Sequence, residues 1–283
     1  MTKIAIVTDT NASLPADISR QYHIWRVPIM VQFGDESLRA VYDIDDAEVF
    51  ARIDREKRLP TTAAPSPGQF AEAFREAFDQ GAEQVLCFTV SSEVSATWKS
   101  ANTARDMMPD RDITVVDTRS LSLGQGLIVL AAAEAVAQGA SKEDALQIAR
   151  DTRERTYLFA ALSTLKYLAM SGRVGHLAAG MASVLNIRPI LTIKDGKLEM
   201  LEKVRTRNKA WTRMIALAEE QAKGKHIARM GLLHVAAPED MKAFESRLCA
   251  TWRCPEERIY TEMTPGLSVH AGAGLVGMAF VVE

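Results

Sequence analysis

The stretch QVLCFTVSSEVSATW, residues 84–98, holds two patterns back to back. Residues 84–90 are a short apolar run without alternation, which predicts a strand buried on both faces. From Ser91 the chain turns small and polar, and residues 91–98 lead into a helix. The same unit recurs on either side. KIAIVTD (3–9) is a buried strand ending in turn residues, and DITVVD (112–117) is a strand followed by the apolar helix GLIVLAAAEAVAQ (126–138). Between them, Ser66, Pro67 and Gln69 form a capping box with proline at the first helical position, starting a helix that runs to about Gln80. Ser141 and Asp144 form a second box, for a helix to about residue 153. IWRVPIMVQF (24–33) is a further strand candidate. DIDDAEVFARI (43–53) is a helix with acids in its first turn, where the dipole favours them. Its acid cluster is read as a solvated helix start in preference to a metal site.

Strands alternating with helices up to about residue 153 predict a parallel sheet with crossover helices. Ligands of such sheets sit at the carboxyl ends of the strands. That edge gathers the loops after Asp9, at 59–65, at 91–95 and after Asp117.

The second half reads differently. YLFAAL (157–162) is a strand, Ser163 begins a helix ending near Ser171 and Gly172, and HLAAGMASVLN (176–186) is an alanine-rich helix. RPILTIKDGKLEMLEKV (188–204) has apolar stretches around Asp195-Gly196, a hairpin signal. A helix over 207–223, a strand over 226–236, a helix over 238–252 and two final strands follow. The expected fold class is therefore α/β: a parallel-sheet N-terminal domain with crossover helices over 1–155, and a smaller α+β domain over 156–283. No internal repeat or low-complexity linker marks the boundary.

The chain has 283 residues, 47% hydrophobic and 25% charged, with a formal net charge of −2. This is ordinary globular composition, and no global field favours nucleic acid or an anionic membrane. The apolar run at 127–133 is too short to span a bilayer, and MTKIAIVTDT reads as a first strand and not as a signal peptide. The three cysteines, Cys87, Cys249 and Cys254, have no CxxC spacing and are expected to be reduced thiols. A cytoplasmic protein without stable membrane insertion is expected.

HAGAGLVG (270–277) matches GxGxxG through Gly272, Gly274 and Gly277. It fails as a dinucleotide fingerprint, which must open a helix inside a βαβ unit, whereas MAFVVE after it reads as a strand. A tight glycine turn that allows close backbone approach fits better. That setting singles out His270 among the five histidines. No GxSxG, HExxH or GxxxxGK[ST] motif is present. What remains on the ligand edge is a set of hydroxyls, Thr61, Thr62, Ser91, Ser92, Ser95 and Thr97, which suit a carboxylate or phosphate if they converge. Ser95 is alternatively a plain helix cap. The basic run Lys203, Arg205, Arg207, Lys209 and Arg213 is either a solvated helix face or a surface for an acidic partner. Three readings stand: a binding protein without catalysis, an α/β phosphotransferase or hydrolase acting on a small acid with His270 as base, and a structural or regulatory module with an empty cleft.

Eight segments in order, TDTNASLP (8–15), PTTAAPSPGQF (60–70), SSEVSATWKSA (91–101), VVDTRSLSLGQG (115–126), LKYLAMSGRVG (165–175), IRPIL (187–191), RTRNKA (205–210) and VHAGAGLVG (269–277), resemble the DegV family of bacterial fatty-acid-binding proteins. The resemblance implies a two-domain α/β protein that encloses one long-chain fatty acid, such as palmitate or oleate. It also implies no catalytic activity, no cofactor beyond the bound acid, and a separate fatty-acid kinase to which the acid is presented. By the same resemblance Thr62, Ser95 and His270 surround the carboxyl group, with Thr61, Ser92, Thr97 and Gly272 in support. Arg173 and Arg205 match positions that look like kinase docking. This chain departs from the family pattern at Ala63-Ala64, at Ala96, at Ser171 and Val174, and at Ala271 and Ala273.

Overall fold

A computed structural model describes residues 3–173 and 187–283. The helix expected over 176–186, with His176, lies outside the described residues. Four strands build a parallel sheet in the order β2-β1-β6-β7: β1 (Ile4–Asp9), β2 (Trp25–Val27), β6 (Gln84–Thr89) and β7 (Asp112–Asp117). Successive side chains of a strand face opposite ways. Val7, Val85 and Cys87 accordingly pack against Phe70 and Phe74 of α3 (Pro67–Asp79) and Ala101 of α4 (Thr97–Asp106). Ile6, Leu86 and Phe88 pack on the other face, against Ile128 and Ala132 of α5 (Ser122–Ala137). Both faces are covered, which is why these strands read as unbroken apolar runs. The Ser66–Gln69 capping box forms with both of its halves.

A second sheet of six strands runs β10-β9-β8-β13-β11-β12. Its members are β8 (Thr156–Ala161), β9 (Arg188–Lys194), β10 (Lys197–Val204), β11 (Ile227–His234), β12 (Ile259–Glu262) and β13 (Val276–Val282). The β11–β12 pair is parallel and the other pairs are antiparallel. One face packs on Trp211 and Met214 of α8 (Arg207–Ala222) and on Phe244 and Leu248 of α9 (Pro238–Thr251). The other face, with Leu158, Leu233 and Ala279, meets Leu123 and Leu127 of α5. Helix α5 is thus buried between the two sheets, and an all-round apolar sequence is what such a position needs. The β9–β10 hairpin turns through Asp195 (φ 49°) and Gly196 (φ 80°), as its Asp-Gly dipeptide predicts.

Three expectations are corrected. Residues 24–33 form two strands, not one, because Pro28 cannot donate a ladder hydrogen bond. After β2 the chain leaves the parallel sheet, Ile29 N donates to Thr10 Oγ1 at 3.0 Å, and β3 (Met30–Phe33) joins a small antiparallel sheet. That sheet has the order β4-β3-β5, with β4 at Glu36–Arg39 and β5 at Thr61–Ala63. Thr61 and Thr62 therefore stand on a strand and not on a loop. Second, the sequence leads to no helix after residue 252, but Pro265–Ala271 is one, α10, with Pro265 at its first position and Gly272 ending it at φ 80°. Third, Cys249 and Cys254 are joined in a disulfide. Helix α9 stops at Thr251, Trp252 is extended, and the turn brings the two Cα atoms to 5.4 Å, inside the bonding range. Trp252, within that loop, packs edge-on against Phe280 at 5.0 Å. Cys87 remains a free thiol, and burial pushes its pKa well up.

Candidate functional site

A cavity of about 360 Å³ opens between the carboxyl edge of the parallel sheet and the inner face of the six-stranded sheet. This lies in the usual size range for small-molecule pockets. Leu158, Ala160, Leu162, Leu191 and Leu233 form the sheet wall, and Leu168 of α7 (Lys166–Met170) adds to it. Val90, Val94 and Leu121 come from loops at the ends of the parallel strands. The β9–β10 hairpin covers one side with Leu191 and Leu198. Its tip is tied to the parallel sheet: Ser91 Oγ donates to Gly196 O at 2.7 Å, and Arg119 donates to Asp195 O. A Cβ on Gly196 would stand 2.7 Å from Ser91 Oγ, so this docking needs glycine.

The polar lining consists of Asn11, Thr62, Ser95, Arg173, Thr192 and His270. Thr192 is engaged, donating to Leu158 O at 2.8 Å. Thr62 Oγ1 and His270 Nε2, 208 residues apart in sequence, are 2.8 Å apart. Strand β5, paired Thr62 to Val31, and helix α10 bring them together. His270 is buried, and its Nδ1 has no hydrogen-bond partner among the described residues. Burial, with a smaller push from the Arg173 charge, lowers its pKa from 6.5 to about 4. The imidazole is therefore neutral at physiological pH. With the proton on Nε2 it donates to Thr62, and the threonine hydroxyl hydrogen is free for an acceptor in the cavity. The other tautomer would bury an N–H at Nδ1 without an acceptor, a rarer arrangement than an unpaired acceptor.

Ser95 is half-buried one residue ahead of the α4 cap, Ala96. Its Oγ accepts from Thr97 N at 3.3 Å and shares a 2.8 Å hydrogen bond with the buried Thr97 Oγ1. It thus stands at a helix N-terminus, where an anion is favoured. Thr97 fixes the Ser95 side chain and does not itself line the cavity. The other supporting candidates are placed elsewhere. Thr61 is exposed, with its hydroxyl on Gln32 at 3.3 Å, since neighbours on a strand face opposite ways. Ser92 donates to Asp117 at 2.5 Å. Gly272 packs against Tyr167, where a Cβ would come within 2.2 Å of the ring. Arg173 is exposed, donates to Ser171 O at 2.7 Å, and also lines the cavity; Arg205 is exposed in the turn before α8. In the basic run, Arg207 pairs with Asp240 at 2.6 Å and Arg213 pairs with Glu202.

The acid cluster of the sequence is divided among separate duties. Asp43 pairs with Arg39 at 2.8 Å, and Asp45 caps α2 (Asp46–Glu56) by accepting from Glu48 N at 2.9 Å. Asp46 is buried; its Oδ1 accepts from Ser268 Oγ of α10 at 2.5 Å, and its Oδ2 has no partner among the described residues. Burial raises its pKa from 3.8 to about 7, with Glu262 and Asp45 pushing the same way. Sequence reading missed both Asp46 and Asn11. Asn11 sits in the turn after Asp9, one of the expected ligand loops, but its sequence neighbours do not show which way its side chain points.

Fold and cavity together define an α/β protein with a mainly apolar small-molecule pocket closed between a parallel and a mixed sheet. A family model described as "Uncharacterised protein, DegV family" matches residues 3–283. The chain belongs to the DegV family. A DegV domain-containing protein of Caldanaerobacter subterraneus is 32% identical over 280 residues, covering 99% of each chain. A Thermus thermophilus structure, described as fatty acid binding of a DegV family protein, matches with a TM-score of 0.93 at 30% identity, covering 100% of both chains. The Bacillus subtilis structure described as DegV, a fatty acid binding protein, matches with a TM-score of 0.90 at 27% identity, again over 100% of both. Among the described residues, no helix is long and apolar enough to cross a membrane.

Proposed function

We propose that this chain is a cytoplasmic carrier that encloses one long-chain fatty acid, such as palmitate or oleate. The acyl chain occupies the leucine-lined cavity, Thr62 and Ser95 hold the carboxyl group, and His270 orients the Thr62 hydroxyl toward it. Residues 1–155 carry the head-group loops, and 156–283 complete the pocket and supply the histidine. The observation that carries this reading is the Thr62–His270 pair set into a mainly apolar lining. Burying a methylene gains about 0.8 kcal/mol, so a tail of about fifteen gains roughly 12 kcal/mol before the costs of association. An unpaired buried carboxylate would cancel much of that. The hydroxyls, that of Thr62 oriented by the neutral imidazole, offset the penalty and fix the orientation.

An enzyme using His270 as general base is the weaker reading. Its Nδ1 has no acid to orient it among the described residues, and a pKa of about 4 lies far from the working pH.

Mass spectrometry of an organic extract of the purified protein tests the proposal. One long-chain fatty acid per chain is expected. Repeated extracts without stoichiometric lipid, and no thermal stabilisation by added palmitate or oleate, would sink it. Thr62→Ala and Ser95→Ala are each expected to weaken palmitate binding about 2- to 13-fold, the 0.5–1.5 kcal/mol of one neutral hydrogen bond, and more when an ionised carboxylate loses its partner. Equal binding by both variants and the wild type would remove these hydroxyls from the head-group site.

The carrier presents its acid to a separate fatty-acid kinase, with Arg173 and Arg205 as docking positions. Guanidinium groups pair well with carboxylates and phosphates, and exposed pairs weaken with salt. Arg205→Ala is expected to bind palmitate normally but to support slower acyl-phosphate formation with a cognate kinase at low salt, the deficit shrinking as salt screens the pair in the wild type. Arg173→Ala is expected to lower both, because its charge also reaches the cavity. Unchanged phosphorylation in Arg205→Ala would take that residue out of docking.

A further inference from the structure

We propose that Asn11 is a further head-group residue, whose Nδ2 amide donates to the ligand carboxylate and sets the preference of the site for an acid over an alcohol. The proposal rests on the fatty-acid reading above and adds a specificity determinant to it.

Asn11 lies in the short turn Thr10–Ala12 at the carboxyl end of β1 and is 4% exposed. The turn is held from several sides. Asn11 N donates to Asp9 Oδ1 at 3.0 Å, and Thr10 O accepts from the hydroxyl of Thr264, the cap of α10, at 2.9 Å. The turn therefore keeps a fixed position against the helix that bears His270.

The side chain of Asn11 lines the cavity, and its Oδ1 is buried without a hydrogen-bond partner among the described residues. That oxygen is turned against Gly266 of α10, where a Cβ would stand only 2.4 Å from it. With glycine there, a Cα–H faces the oxygen, a weak but favourable contact. Reversing the amide would press an N–H against the same C–H, so Gly266 selects the orientation. Nδ2 is then the end left to the cavity, and no acceptor for it exists among the described residues. Gly266 and His270 are four residues apart on one helix and share a face, which puts the Asn11 amide and the imidazole on the same side of α10.

The chemistry matches a carboxylate. An ionised carboxyl group only accepts hydrogen bonds, and it has several lone pairs to satisfy. Thr62 and Ser95 bring one hydroxyl hydrogen each, whereas the Asn11 amide brings two N–H groups from one rigid plane. Donors aimed at a charged acceptor make the stronger class of hydrogen bond. An alcohol has a single oxygen, gains less from them, and carries a hydrogen of its own.

The test measures palmitate and hexadecanol binding to the wild type, to Asn11→Asp and to Asn11→Ala, with thermal melts as a check of folding. Asn11→Asp keeps the shape and replaces the donors with an oxygen that repels a carboxylate. Palmitate affinity is expected to fall at least tenfold in Asn11→Asp and several-fold in Asn11→Ala, while hexadecanol affinity stays within about twofold. Should Asn11→Asp fail to fold, Asn11→Ala carries the same comparison. Undiminished palmitate binding in the variants, or an equal loss of both ligands, would overturn the assignment. A wild type that binds neither ligand would overturn the fatty-acid reading itself, an outcome visible without any variant.

Discussion

Ala160→Phe is expected to abolish palmitate binding while leaving the protein folded. Ala160 is on β8, between Leu191 of β9 and Gly277 of β13, and lines the cavity. A phenyl ring there projects into the space assigned to the acyl chain. Displacing four or five methylenes would cost roughly 3–4 kcal/mol, more than a hundredfold in affinity. The ring enters an existing cavity, so the overpacking that penalises such changes in a filled core is small here. Isothermal titration with palmitate and a thermal melt of the empty protein check both halves. A variant that binds palmitate normally would show that the chain lies elsewhere. A variant that melts far below the wild type would show that the cavity is not available space.

Asp46→Asn is expected to stabilise the protein at alkaline pH by roughly 2–4 kcal/mol, the scale set by a pKa raised from 3.8 to about 7. The sign follows from the direction of the shift. The folded protein holds the Asp46 proton more tightly than the unfolded chain does. The stability this contributes is complete below about pH 4 and is lost as pH rises through about 7. Asparagine keeps an acceptor for Ser268 and carries no charge to bury. Denaturant melts at pH 8 and pH 4 should show a clear gain at the first and little difference at the second. A pH-independent difference, or a loss at pH 8, would mean that the buried carboxylate is not the source. Asp9 shifts in the same direction, to about 6, through burial opposed by hydrogen bonds from Val90, Asn11 and Gln125. It adds to the decline of the wild type with pH and cancels between wild type and variant.

The parts that were legible in the sequence share a physical cause. Strands β1, β6 and β7 announce themselves because a sheet covered on both faces needs apolar residues at every position, and α3 because its capping box is local chemistry. The hairpin over 188–204 is fixed by a dipeptide suited to positive φ. The small sheet of β3, β4 and β5 was not legible: strands of three or four residues are too short to show a period. Helix α10 carried a signal, proline at its first position, but seven residues amid glycines gave it no visible face. The Cys249–Cys254 bond depends on where α9 stops, and sequence spacing alone does not decide that.

The candidate site divides in the same way. Thr62, Ser95 and His270 were named from the sequence, and all three line one cavity, with Thr62 and His270 in contact. Their neighbours Thr61, Ser92 and Gly272 do not line it: strand alternation turns Thr61 outward, Asp117 takes the Ser92 hydroxyl, and Gly272 makes room for Tyr167. Asn11 and the inward reach of Arg173 arise from packing between distant segments, which no local pattern encodes.

A crystal structure of the protein grown with palmitate is the decisive experiment for fatty-acid binding in this cavity. One acyl chain is expected along Leu158, Leu191 and Leu233, with its carboxyl oxygens within hydrogen-bond distance of Thr62 and Ser95. A cavity that stays empty at saturating palmitate, or an acid bound with its carboxyl group away from Thr62 and His270, would contradict it.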